Sequence, residues 1–232
     1  GRLKNPYGFF NETRDVAATN TSILLPESIY VDYLSQLFHS SDSLGVYGHN
    51  EIDQGTFALN AQFGRPILNE NIISSLVGIA DTDGDIKNER AGFVRFAYED
   101  GGGIWRAAVS FVHFDGDFKP GVNDSGPPLY LSRGNLTIEQ LLLSLEYNYQ
   151  DLQITTEIQR RNSELKGIYP FDITQKALGY YLQFAYKFTP AWVVYLRRDE
   201  GFRFKDDRHG KDYLENVKAL NPFTQTQAHS AF

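Results

Sequence analysis

The chain has 232 residues, 22 Lys+Arg against 29 Asp+Glu, a formal charge of −7, and 41% hydrophobic residues of which many are aromatic. That is enough for one large β domain or one to two ordinary domains with a real core. Its longest apolar run, Ile72 to Ala80, is short and broken by Ser74 and Ser75, so no segment nears the roughly 18 apolar residues of a membrane helix. The acidic balance argues against a nucleic-acid binder. The absence of cysteine removes disulfide scaffolds, thiolate metal sites and cysteine nucleophiles. The chain opens on Gly1, carries no methionine and shows no charged stretch leading into an apolar one. A mature or partial piece of a longer chain is therefore expected.

In chain order, the first long stretch without strand character is Asn11 to Asp42. From Glu27, residues Ile29, Tyr30, Tyr33, Leu34, Leu37 and Phe38 fall at helical spacing with Pro26 beside the start, which predicts a short amphipathic helix or an ordered inward-folded loop over 11–42. Hairpin strands follow over 43–203, and 204–232 reads as a loop and a further barrel segment. Ser43 to Ile52 is a strand closed by the turn Asp53-Gln54-Gly55. Phe57, Leu59, Ala61 and Phe63 then alternate with Ala58, Asn60 and Gln62. Val94, Phe96 and Tyr98 share one face opposite Phe93, Arg95 and Ala97. After the Gly101-Gly102-Gly103 turn, Trp105, Ala107, Val109 and Phe111 share a face. Such pairs are β-hairpins.

The later hairpins repeat the pattern. Leu141, Leu143, Leu145, Tyr147 and Tyr149 oppose Leu142, Ser144, Glu146 and Asn148, and beyond Asp151, Leu152, Ile154, Thr156 and Ile158 oppose Thr155, Glu157 and Gln159. Leu178, Tyr180, Leu182, Phe184, Tyr186 and Phe188 oppose Tyr181, Gln183 and Lys187; after Thr189-Pro190-Ala191, Trp192, Val194 and Leu196 oppose Arg197 and Asp199. About eight strands alternate clearly, each near the roughly ten residues that cross a bilayer when tilted. Tight turns (53–55, 99–103, 150–152, 189–191) alternate with long polar connections over Asp115 to Asn135 and Arg161 to Lys176. Tyr147, Tyr149, Tyr186, Phe188 and Trp192 gather at the tight turns. Short turns at one end, long loops at the other and an aromatic girdle are habits of outer-membrane barrels.

Alternation alone leaves two fold classes open. In a soluble β-sandwich the apolar face is the core; in a membrane barrel it meets lipid. The unbroken rows Leu141, Leu143, Leu145 and Leu178, Leu182, Phe184 carry no charge, and a charge there would cost roughly 2–4 kcal/mol in lipid. The expected fold is thus an all-β antiparallel transmembrane barrel, a single domain over 1–232. The alternative is a soluble β-sandwich carbohydrate-binding module stacking sugars on Trp105 and Trp192.

The opening Gly1-Arg2-Leu3-Lys4-Asn5-Pro6-Tyr7-Gly8-Phe9-Phe10-Asn11-Glu12-Thr13-Arg14-Asp15, continued by Ser22-Ile23-Leu24-Leu25-Pro26-Glu27-Ser28-Ile29-Tyr30, resembles bacterial outer-membrane porin-like proteins similar to the phosphate-selective porin O and P family. The turn Tyr186-Lys187-Phe188-Thr189-Pro190 followed by Trp192 fits the same barrels. The resemblance implies a larger barrel of about sixteen strands, of which this chain is a part, often a homotrimer. It also implies passive diffusion of small hydrophilic solutes or ions across the bacterial outer membrane, with lipid bilayer and lipopolysaccharide as surroundings. No lysine ladder for phosphate preference can be placed on the chain.

Candidate pore-lining residues are the charges on the polar parity: Arg95, Arg106, Glu146, Glu157, Lys187, Arg197 and Asp199. Such charges tune ion passage, or merely pair on a solvated face. Arg2, Lys4 and Arg14 are constriction candidates, unless they simply pair with Glu12 and Asp15. Asp81, Asp83 and Asp85 resemble the start of a calcium loop, but Ile86 and Gly92 stand where Gly and an acid are needed, so an acidic hairpin tip is the better reading. His39, His49, His113, His209 and His229 lack zinc-ligand spacing. Ser110 with His113 makes no triad, and no G-x-S-x-G, phosphate loop or dinucleotide fingerprint is present. No catalytic residue, enzyme activity, metal or cofactor is expected.

Overall fold

The structure is a computed structural model that describes residues 1–11, 25–31, 34–66, 68, 83–125, 131–167, 172–208 and 211. Within these, nine strands form one antiparallel sheet: β1 Arg2–Lys4, β2 Ser40–Ile52, β3 Gly55–Pro66, β4 Asp85–Asp100, β5 Trp105–Lys119, β6 Gly134–Tyr149, β7 Leu152–Lys166, β8 Ile173–Thr189 and β9 Trp192–Phe202, with a short helix α1, Ser35–His39, ahead of β2. The strands lie in sequence order β1 to β9, each paired with its chain neighbour, and the two ends do not meet. The protein is an all-β, open antiparallel meander.

The tight turns joining β2–β3, β4–β5, β6–β7 and β8–β9 fall at one end, and the longer connections at the other. Gln150 adopts φ 54° and Gly103 φ 67°, the left-handed backbone that lets a strand reverse within a few residues. Two sequence expectations need correction, and one element is new. The connections expected over Asp115 to Asn135 and Arg161 to Lys176 are shorter than that, because strand alternation continues into both ends of each: Phe114, Gly116 and Phe118 face one way, His113, Asp115 and Asp117 the other. The true connections there are 120–133 and 167–172. The helix from Glu27 shrinks to Ser35–His39, because Ile29 and Tyr30 instead donate backbone N–H bonds to Pro26 in a turn. Arg2–Lys4 adds a short strand that pairs with Ser40–Asp42. The barrel segment expected over 204–232 lies mostly outside the described residues.

Burial along the strands runs opposite to that of a soluble sheet. Leu143 is 49% exposed, Leu182 40% and Phe184 40%, alongside Val94, Phe96, Val109, Phe111, Leu141, Leu145 and Ile158. Buried instead are Ser110, Gln140, Ser144, Glu146, Thr155, Glu157, Gln159, Arg161 and Gln183 on the other parity. The sheet therefore has an outward apolar face and a covered, largely polar one. Toward the long connections the covered face turns apolar, with Phe93, Val112, Phe114, Phe118, Leu136, Ile138 and Leu142 buried in one cluster with Tyr7, Leu34, Leu37 and Phe38. That local core was not expected from a polar parity.

Across the outward face the apolar belt does not follow the ladder rows. Tyr98 on β4 aligns through Ala107, Leu145 and Thr156 with Leu182 on β8. The aromatics Tyr186 and Phe188 stand four and six residues nearer the short turns. On the opposite border, Arg90 aligns through Asp115 and Thr137 with Glu164, and the first outward cation on β7, Arg160, is again four residues nearer the turns. Both borders step in the same sense by about one residue per strand.

Candidate functional site

The site is the covered face together with the N-terminal segments seated on it. Residues 5–11, 25–31 and 34–39 lie over the strands rather than beside them. Glu157, at the centre of β7, is 0% exposed. Its carboxyl accepts from Phe9 N–H at 3.0 Å, from the Tyr30 hydroxyl at 2.9 Å, from Tyr181 at 3.1 Å and from Ser144 at 2.6 Å. A buried acid needs such a full set of donors to offset its lost hydration. Alternation places Ser144, Glu157 and Tyr181 side by side in one ladder row; the segment supplies the other two donors.

Neighbouring contacts extend this seat. Gly8 N–H donates to Ser110 Oγ at 3.2 Å. The Gln159 amide donates to the Ser28 carbonyl and the Gln140 amide to the Tyr7 hydroxyl. Asp199 accepts from the backbone N–H groups of Glu27 at 2.8 Å and Ser28 at 3.3 Å. Nearer β2 and β3, Asn5 Oδ1 accepts from Ser41 at 2.6 Å and Gln62 at 2.8 Å, while the Asn11 amide donates to the carbonyls of Asn5 and Phe38 at 2.8 and 2.9 Å. Tyr7 stacks on Phe38 with centroids 5.0 Å apart. Burial, with the Glu157 charge second, pushes the Tyr7 and Tyr30 hydroxyls well above the ordinary tyrosine range, so both remain donors at neutral pH.

Two glycines make the seat possible. A Cβ on Gly179 would stand 2.1 Å from the Ser28 carbonyl oxygen, and one on Gly8, at φ +60°, would stand 2.3 Å from Tyr30 Oη. Glycine inside a strand marks a place where another backbone approaches closely.

Of the expected pore-lining charges, Arg106 and Glu146 pair at 3.1 Å, with the Arg106 guanidinium 4.3 Å over the Phe9 ring. Arg197 lies in the same ladder row through Thr155 and Gln183. Glu157 and Asp199 hold the segment. Arg95 is half-buried between Asn60 and Ser110 in register, and Lys187 is exposed beside the last turn. Of the constriction candidates, Arg2 stands 3.7 Å from Asp42 at the sheet edge. Lys4 is exposed beside it, while Arg14, Glu12 and Asp15 lie outside the described residues. Asp81 also lies outside them. Asp83 is bonded by Asn123 and Asp85 by Lys87, and among the described residues no acidic or histidine group is arranged to hold a metal ion. Sequence reasoning missed Tyr7, Gly8, Phe9, Tyr30, Gln140, Gln159 and Tyr181. The signal that could have found the seat was Gly179 in mid-strand.

No protein-family model, curated protein or solved structure matches the chain.

Proposed function

We propose that this protein is an outer-membrane porin-like channel for passive diffusion of small hydrophilic solutes or ions, in which residues 5–11, 25–31 and 34–39 narrow the path. The observation that carries this reading is the inverted burial, with leucines and phenylalanines bare and Glu157, Gln159 and Arg161 buried. A water-soluble sheet would hide the first group and solvate the second. Lipid exchanges those roles.

Belt geometry supports the same reading. A border step of about one to one and a half residues per strand, at roughly 3.4 Å per residue and 4.8 Å between strands, corresponds to strands inclined by about 35–47°; barrel strands tilt by about 35–45°. From Leu178 to Phe188, and from Leu141 to Tyr149, the outward apolar stretch rises about 19–28 Å after that tilt, which brackets the roughly 25 Å band of such barrels. Among the described residues both edges of the sheet leave backbone groups unpaired, which lipid does not tolerate. The described strands are therefore read as a sector of a larger closed barrel, and about sixteen strands is the number that the resemblance implies. The N-terminal resemblance to phosphate-selective porin O and P proteins points the same way.

The test is reconstitution into planar bilayers from detergent. Discrete, ohmic conductance steps are expected, with detergent needed to keep the protein monodisperse. A monodisperse protein in plain buffer with no conductance would overturn the reading and favour the soluble sugar-binding alternative.

A further inference from the structure

A second group of buried polar atoms lies beyond the Glu157 seat, toward the long connections. The inward residues of β6, β7 and β8 there are Gln140, Arg161 and Ala177 in one ladder row and Ile138, Ser163 and Gln175 in the next. Every one of them is at most 4% exposed. Among the described residues, however, Gln140 Oε1, Ser163 Oγ and Gln175 Oε1 have no hydrogen-bond partner. Burying a polar atom unpaired is costly, and three of them in two adjoining rows call for a partner of another kind.

The Gln140 oxygen cannot be turned to a better use. The Ser28 carbonyl, which can only accept, takes the Gln159 amide nitrogen. That fixes Gln159 Oε1 as the acceptor for the Gln140 amide nitrogen, which also donates to Tyr7 Oη. Turning the Gln140 carboxamide over would set oxygen against oxygen, so its Oε1 stays an acceptor that awaits a donor. The chemistry of the group narrows what that donor is. An anion suits Arg161 but not the amide oxygens, and a metal cation suits the oxygens but not Arg161. A neutral hydroxyl both donates and accepts, so it serves two amide oxygens and a serine together. Ala177 and Ser163 are short side chains set among long ones, which leaves the layer room for it.

We propose that Gln140, Ser163 and Gln175 form a closed binding site for neutral hydroxyl groups, supplied by ordered water or by a small polyol of glycerol's size. The site adjoins the Glu157 seat through Gln140 and Tyr7 and is built from three neighbouring strands of one wall. It serves a channel lumen or the interior of a soluble fold alike, so it stands apart from the membrane reading.

The experiment uses the full chain in detergent, labelled with nitrogen-15 at glutamine, and reads Overhauser transfer to the Gln140 and Gln175 side-chain amides by NMR. Transfer from water is expected at both. Glycerol is then titrated in: saturable replacement of the water signal by transfer from glycerol protons at millimolar concentration assigns the polyol, and an unmoved water signal assigns ordered water. Sodium sulfate serves as the anionic probe and is expected to change neither. A second measurement uses Ser163→Ala/Gln175→Leu, which removes two of the three polar atoms. With a hydroxyl ligand in place, the unfolding equilibrium constant in denaturant is expected to rise about two- to tenfold per hydrogen bond lost. In a dry site the same variant sheds only unsatisfied groups, and that constant falls. A fall, the absence of transfer from either source, or displacement by millimolar sulfate overturns the proposal. The wild-type spectra keep the test available if the double variant fails to fold.

Discussion

Replacing Glu157 with alanine removes the acceptor for Phe9 N–H, Tyr30, Tyr181 and Ser144 together. All four residues are buried. A buried donor left without a partner costs about 1–3 kcal/mol. Water entering the space left by the missing carboxyl satisfies some of them, so the net loss for seating the segment is set at about 2–4 kcal/mol. That multiplies the population of the unseated segment by roughly 30- to 1,000-fold. Hydrogen exchange reads it directly, because the Gly8, Phe9 and Phe10 amides bond only to side chains of the covered face and the segment, whereas strand amides bond to the ladder. The expected result is a collapse of protection at 8–10 with strand protection retained, together with larger single-channel conductance. Glu157→Gln keeps one acceptor oxygen and should fall between wild type and alanine. Gly8→Ala provides the same outcome from the segment's side with the Glu157 carboxyl kept, chiefly through its clash with Tyr30. Unchanged protection at Phe9 in both Glu157→Ala and Gly8→Ala would refute the seat, and unseating without any change in conductance would refute its role as a constriction.

Leu143→Arg places a charge in mid-belt on the outward face; a loss of about 2–4 kcal/mol in denaturant unfolding from lipid vesicles is expected, and tolerance equal to that of Glu139→Arg would contradict lipid contact. Gly179→Val drives a Cβ carrying two methyl groups toward the Ser28 carbonyl, so it should release the 25–31 turn, seen as faster exchange of the Glu27 and Ser28 amides; wild-type exchange there would argue against close backbone seating. Reversing Arg95 and Arg106 together to Glu should shift the reversal potential under a salt gradient toward cation preference, and a stationary potential means they do not face the permeating ions. Because burial raises the Tyr7 and Tyr30 pKa values in the folded protein, the seat is fully stabilised below the ordinary tyrosine pKa of about 10 and weakens as pH rises above it. Conductance should therefore climb in alkaline buffer, and Tyr30→Phe should blunt the rise.

Period-two alternation determined, from the sequence alone, the hairpins, their tight turns and the division of side chains between two faces. Each needs only local geometry: successive residues on a strand point opposite ways, so Leu141, Leu143 and Leu145 had to share a side. The charged candidates Arg106, Glu146 and Glu157 were legible for the same reason, as the odd residues of apolar runs. Which side would be covered was not, because alternation is symmetric under exchange of core and surroundings. Only the tertiary structure decided it, by laying 5–11, 25–31 and 34–39 across the polar face. The roles of Tyr7, Gly8, Phe9 and Tyr30 depend on partners far along the chain, 148 residues away for Phe9 with Glu157 and 152 for Tyr7 with Gln159. The strand extensions through Phe114 and Phe118 likewise depend on a cluster gathered from distant segments. Periodicity reports what a residue's neighbours in the chain compel; a hydrogen bond across the sheet is fixed only once the strands have been brought into register.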